Sequence, residues 1–248
     1  PYGVFQALEH SGDYATRPKI EEGSLLSLAG GFGSTPLHFA VTTGFAEKYG
    51  IETVKDIVDK KVPIRIATSI PGRLTPWSLE KTLEFYGATL QDIKSWGGKI
   101  LYGEYSDSVR QVKDGQADLF LVDGSPPAAP LVELMVFKEM KILPLTQDAI
   151  DYMAKKLGFS YVVIPANIYK GQDVDIPTVA MQTIMITNDK VPEELIYCIA
   201  KILAENEERI NKFDRALAEF NAETAWESLV APLHPGAEKA YRELGYMK

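Results

Sequence analysis

Two hydrophobic rhythms alternate along this chain. Short apolar runs bounded by turn residues, such as Ile64-Arg65-Ile66-Ala67 and Leu119-Phe120-Leu121-Val122, have the length and composition of buried strands. Between them apolar side chains recur three and four residues apart, as at Leu79, Leu83 and Tyr86, the spacing of one helix face. Strands interleaved with helices predict βα units and a largely parallel sheet, an α/β fold.

Placed in order, the pattern predicts a helix over residues 2–10, stopped by Ser11-Gly12, and strands from Leu25 and from Leu37. The glycine-rich turn Gly30–Thr35 lies between those strands and lacks the Lys-Ser/Thr ending of a phosphate loop, so it reads as a flexible connection. A helix over Thr53–Asp59, the strand at 64–67 and the loop Thr68–Thr75 follow. Thr75 is expected as the N-cap of the next helix, with Pro76 at its first position and Gly87 ending it. A second unit repeats the order: helix 109–113, strand 119–122, the turn Asp123-Gly124-Ser125-Pro126-Pro127, then a helix from Ala128 through Phe137. A helix near 149–156, a strand at 161–164, a loop rich in turn residues and a strand from Thr178 precede the longest helix. That helix starts near Pro192 and is expected to bury Leu195, Ile199, Ile202, Leu203, Ile210 and Phe213 on one face.

Bulk properties narrow the function. A length of 248 residues with 46% hydrophobic residues suits a folded protein of two α/β lobes. A net charge of −8 argues against a nucleic-acid partner, which needs clustered Lys and Arg. The single cysteine, Cys198, can form neither an internal disulfide nor a paired-cysteine metal site, and is expected as a small buried residue of its helix. No apolar stretch reaches the length of a membrane span. The sequence opens at Pro1 without a methionine or secretion signal, so a removed leader is expected.

Physical chemistry singles out the strand, loop and helix of residues 64–86. The first N–H groups of a helix lack internal partners and carry the positive end of its dipole, which favours an anion. Gly72 allows close approach to the backbone, and Arg73 offers a bidentate contact to a carboxylate. The Asp123–Ala128 loop repeats this geometry with fewer donors, since two prolines lack N–H groups. Catalytic signals are missing: His10, His38 and His234 are far apart, and no zinc-binding or nucleophile-turn motif occurs. His234 reads as a structural turn residue, and Asp173 and Asp175 as solvated. No catalytic residue, metal ligand or cofactor is therefore assigned.

From residue 51 onward the sequence resembles the TAXI family, the solute-binding subunits of tripartite ATP-independent periplasmic (TRAP) transporters. The likeness rests on ETVKDIVDKKVPIRIATSIPGRLT, VKDGQADLFLVDGSPPAAP, IPANIYKGQDVDIPTV, VPEELIYCIAKILAENEERI and APLHPGAEKAYRELG, in family order over about four-fifths of the chain. The resemblance implies a two-lobed periplasmic-binding-protein fold of type II. Lobe one would hold residues 1–43 and 180–248, lobe two residues 44–179, with the ligand in the cleft. It implies a periplasmic or extracytoplasmic protein that binds a small carboxylate, an organic acid or amino acid, and hands it to membrane permease subunits. By position it assigns ligand contacts to Gly72, Arg73, Thr75, Gly124, Ser125 and Tyr169, and more weakly to Tyr2. Two departures stand out. The family's Gly-Ser-Gly-Thr loop is here Gly72-Arg73-Leu74-Thr75, exchanging a hydroxyl and a glycine for a charge. The family's opening βαβ portion has no counterpart before Pro1, so lobe one is expected to lack its first strand. An enzyme or a detached ligand-sensing domain on the same architecture is the alternative.

Overall fold

The computed structural model describes residues 2–10, 14–214, 217–218, 220–227 and 229–248; the expected helix stop at Ser11-Gly12 lies outside them. In chain order the elements are α1 (Tyr2–Leu8), β1 (Leu25–Ala29), β2 (Ser34–Thr42), α2 (Thr43–Tyr49) and α3 (Val54–Asp59). Next come β3 (Arg65–Thr68), α4 (Leu74–Phe85), α5 (Leu90–Ser95), β4 (Lys99–Tyr102), α6 (Tyr105–Lys113) and β5 (Leu119–Asp123). Then follow α7 (Ala129–Met135), β6 (Met140–Leu143), α8 (Gln147–Leu157), β7 (Ser160–Ile164), β8 (Ile176–Gln182) and β9 (Met185–Asn188). The chain finishes with α9 (Glu193–Glu205), α10 (Glu207–Phe213) and α11 (Pro235–Glu243). Two compact units result: Pro1–Ser34 with Met181–Lys248, and Thr35–Ala180. The division falls at the start of β2 and within β8.

The larger unit is built on a seven-stranded sheet in the order β4-β3-β5-β2-β8-β7, with β6 also paired to β2. β3 runs parallel to both β4 and β5. β2 is antiparallel to β5 and β6, and β7 is antiparallel to β8. The expectation of a largely parallel sheet is corrected accordingly: three pairs are antiparallel, and the two parallel pairs join strands linked by helical crossovers. Capping boxes start two helices here. Thr53 and Thr89 each accept the N–H of the aspartate three residues on, Asp56 and Asp92, whose carboxylates return bonds to the threonine N–H. β3 and β5 are also tied by Asp118, which accepts from the Arg65 backbone at 3.0 Å and its guanidinium at 2.8 and 2.5 Å. The core beneath α6 and α7 includes Val109, Val112, Phe120, Val122, Leu131, Leu134, Ile164 and Tyr169, all buried.

In the smaller unit β1 pairs antiparallel with β9, and Ser27 forms an isolated parallel bridge to Leu233. α9 and α11 pack through Ala200, Ala204, Ala237 and Ala240 beside Tyr241. These small side chains let the helices close tightly: a Cβ on Gly236 would sit 2.2 Å from the Glu193 carbonyl oxygen. His234 caps α11, its Nδ1 accepting the Gly236 N–H at 3.1 Å, with Pro235 at the first helical position. The reading of α9 holds in part: Ile199, Leu203 and Ile210 pack half-buried against the core of this unit. Its buried residues are Ile196, Ala200 and Ala204, whereas Leu195, Ile202 and Phe213 are 52%, 59% and 86% exposed. Cys198 is exposed as well, not buried as expected. The helix is apolar on two faces, and the pattern alone cannot say which faces its own unit.

Candidate functional site

The three parallel strands end side by side at Thr68, Tyr102 and Asp123. The loops leaving these carboxyl ends lead into α4, α6 and α7. In open α/β sheets this edge is where ligands bind, because helix N-termini converge on it.

The first loop is held from below. Thr68 Oγ1 donates to Thr75 Oγ1 at 3.0 Å, and the Ser69 hydroxyl lies 2.6 Å from the same oxygen. All three residues are buried. α4 begins at Leu74 with Arg73 as its N-cap and no side-chain cap, so the expectation of Thr75 as N-cap is corrected. Thr75 sits inside the first turn, its hydroxyl committed to the loop rather than to a helix N–H. Gly72, at φ 89°, and Arg73 are exposed at the lip of the loop.

Arg73 does not stand alone. Its two terminal nitrogens donate to the two oxygens of Glu104, each at 2.9 Å, the fork-to-fork geometry of a guanidinium on a carboxylate. Glu104 is the N-cap of α6, on the loop after β4. One residue on, the Tyr105 hydroxyl donates to Asp123 Oδ1 at the end of β5. Burial, then that bond, push the Tyr105 pKa upward, so it stays a donor at neutral pH. The edge thus gathers Arg73, Glu104, Tyr105 and Asp123. Asp123 opens a loop already marked in the sequence, whereas Glu104 and Tyr105 carried no signal beyond following an apolar strand.

Gly124 and Ser125 follow Asp123, and Gly124 N–H reaches the Pro36 carbonyl at 3.2 Å. Ala128, which caps α7, donates its N–H to the Tyr169 hydroxyl at 2.6 Å. The same hydroxyl lies 2.8 Å from His38 Nε2, and His38 Nδ1 lies 3.0 Å from the Pro36 carbonyl. Because a carbonyl only accepts, Nδ1 carries the proton and Nε2 accepts from Tyr169. Burial holds His38 neutral, its pKa pushed down to about 4, and burial likewise pushes Tyr169 up to about 12. Tyr169 therefore lies in the core, supporting the Gly124–Ala128 loop from behind.

The Tyr169–Gln172 stretch explains its own motif. The Gln172 side-chain amide donates to the Pro165 and Val174 carbonyls at 2.9 and 2.7 Å, filling a loop that has no ladder partners. Gly171 supplies the positive φ, 79°, that the turn needs. Of the predicted residues, the structure gathers Gly72, Arg73, Thr75, Gly124 and Ser125 at or beneath one sheet edge, with Tyr169 behind. Tyr2 lies on α1 of the smaller unit. Among the described residues no group of three or more His, Cys, Asp or Glu is placed to hold a metal ion. None of their helices is long and apolar enough to cross a membrane.

Among solved structures the chain is similar to a periplasmic sulfonate-binding protein, SsuA, of a sulfonate ABC transporter from Methylobacillus flagellatus KT. Identity is 14% over 96% of this chain and 67% of that one, with a TM-score of 0.43. It is similar to the periplasmic binding protein BugD at 13% identity over 98% and 72% of the two chains, TM-score 0.43. A third likeness is to an amino acid ABC transporter substrate-binding protein from Streptococcus pneumoniae bound to L-arginine: 12% identity, 80% and 62% coverage, TM-score 0.36. The chain spans about three fifths to two thirds of the length of several structures it matches. Compared with models of protein families, residues 4–245 match one described as the NMT1-like family. With nearly the whole length inside that match, the chain belongs to the NMT1-like family.

Proposed function

We propose that this protein is an extracytoplasmic solute-binding protein that captures a small carboxylate, an organic acid or amino acid, and delivers it to a TRAP-type permease. One observation carries the reading: Arg73, at the N-terminus of α4 and the carboxyl edge of the sheet, already holds a carboxylate in bidentate fashion. That carboxylate belongs to Glu104, and both side chains are about half exposed. An ion pair so exposed is worth at most about 1 kcal/mol, so a ligand carboxylate can displace Glu104 cheaply. The ligand would then gain the N–H groups of Leu74 and Thr75 at the positive end of the helix. Gly72, Gly124 and Ser125 line the approach, while Thr75 and Tyr169 fix the two loops from beneath. Asp123 and Glu104 disfavour a second negative charge beside the first, which suits a monocarboxylate or a zwitterion better than a dianion. Delivery to TRAP permease subunits rests on the resemblance to the TAXI family. No residue is assigned a catalytic role.

The test is a thermal-shift series with L-glutamate, L-alanine, pyruvate, succinate and taurine, with choline as a cationic control. At least one carboxylate should raise Tm and be recovered chemically unchanged after incubation. Conversion of the ligand, or stabilisation by choline alone, would contradict the proposal.

A further inference from the structure

α9 has a second apolar face. Ile196, Ala200 and Ala204 point into its own unit, and Leu195, Cys198 and Ile202 lie on the opposite side, exposed. The exposed three follow the three-then-four spacing of a helix–helix seam. The stripe continues into a groove of about 430 Å³ lined by Phe32, Ile202, Leu203, Ile210 and Phe213. Unlike the site above, this surface belongs to the smaller unit.

Charges beside the stripe identify its occupant. Glu194 lies four residues before Cys198 and Lys201 three after it, on the same flank. Neither joins a salt bridge among the described residues; Lys201 donates to the Tyr197 hydroxyl at 3.3 Å and lies over that ring, with Glu205 and Glu243 also acting on its charge. In an antiparallel pair of α9 helices crossing at Cys198, Glu194 of each copy comes opposite Lys201 of the other. Leu195 comes opposite Ile202 in the same way. The stripe is thus complementary to itself under a two-fold axis, the requirement of an isologous interface. We infer that the exposed face of α9 is a homodimer interface, in which a second copy of this chain packs antiparallel across Cys198.

Sedimentation velocity of the full chain over a concentration series tests it, with copper–phenanthroline oxidation as a second readout. A dimer is expected, cross-linked through Cys198 on oxidation. I202E should abolish it, since each copy would bury a charge against Leu195. E194K should weaken it about tenfold or more by setting like charges opposite each other, and E194K/K201E should restore it. Glu194 and Ile202 are exposed and Lys201 is half-buried at the surface, so circular dichroism should show all variants folded. A parent chain that stays monomeric overturns the inference, as does a dimer indifferent to I202E and E194K. A monomer that binds phosphatidylcholine vesicles through this stripe also overturns it and assigns the face to a lipid surface.

Discussion

Replacing Tyr169 by Phe removes one oxygen that serves two buried groups. In the native protein it accepts the Ala128 N–H at 2.6 Å and donates to His38 Nε2 at 2.8 Å. Both rings are almost wholly buried, so water cannot readily take its place. An unpaired buried polar group costs about 1–3 kcal/mol, and two are created, which bounds the loss at roughly 2–6 kcal/mol. The variant regains part of this because a phenyl ring is cheaper to bury than a phenol, leaving an expected loss of about 3 kcal/mol. Urea unfolding followed by circular dichroism measures it, with an unchanged m-value showing that the denatured state is not the cause. The double variant Y169F/H38F should be less destabilised than the sum of its single changes by about 1 kcal/mol or more, since the residues share a bond. A Y169F loss below about 0.5 kcal/mol would refute the claim that this hydroxyl ties α7 to β2, because it would mean a bond without net worth.

His38 also makes stability depend on pH. Its folded pKa, about 4, lies below the ordinary 6.5, so the unfolded chain binds more protons between those values. Its contribution is full above about pH 6.5 and declines by roughly 2–3 kcal/mol as the pH falls toward 4. Stability measured from pH 7 to 4.5 should lose the His38 component in H38F, and parallel curves for parent and variant would count against it. In the smaller unit G236A should cost about 2 kcal/mol or more, because its Cβ would meet the Glu193 carbonyl and force α9 from α11. Denaturation midpoints report this, and an unchanged midpoint would show that the helices part freely.

What could be read from the sequence was what local physics decides. Thr53 with Asp56 announces a helix start, and Leu119–Val122 can be little but a buried strand, because their causes lie within a few residues. The His-Pro-Gly start of α11 was visible as a motif, but the reason for its glycine, a close approach to α9, needs the tertiary structure. At α9 the expectation held for Ile199, Leu203 and Ile210 and failed for Leu195, Ile202 and Phe213, because with apolar residues on two faces burial depends on what packs nearby. The site divides in the same way. Gly72 and Arg73 were legible from the strand–loop–helix pattern. Glu104, and its meeting with the Asp123 loop, were not, since only the β4-β3-β5 order brings them to the same edge. Tyr169 and His38 lie 131 residues apart, and no local pattern could join them.

The central claim is that Arg73 exchanges its internal carboxylate for that of a ligand, and calorimetric titration of the best carboxylate from the thermal-shift series tests it most directly. Parent, R73A and E104Q proteins would be compared. Losing a charge-assisted bidentate contact worth about 1.5–3 kcal/mol, less the up to about 1 kcal/mol that releasing Glu104 costs the parent, should weaken R73A roughly 2- to 150-fold. Removing the competitor should leave E104Q equal to the parent or up to about fivefold tighter, the range set by an exposed ion pair. Equal affinity of parent and R73A would contradict the account.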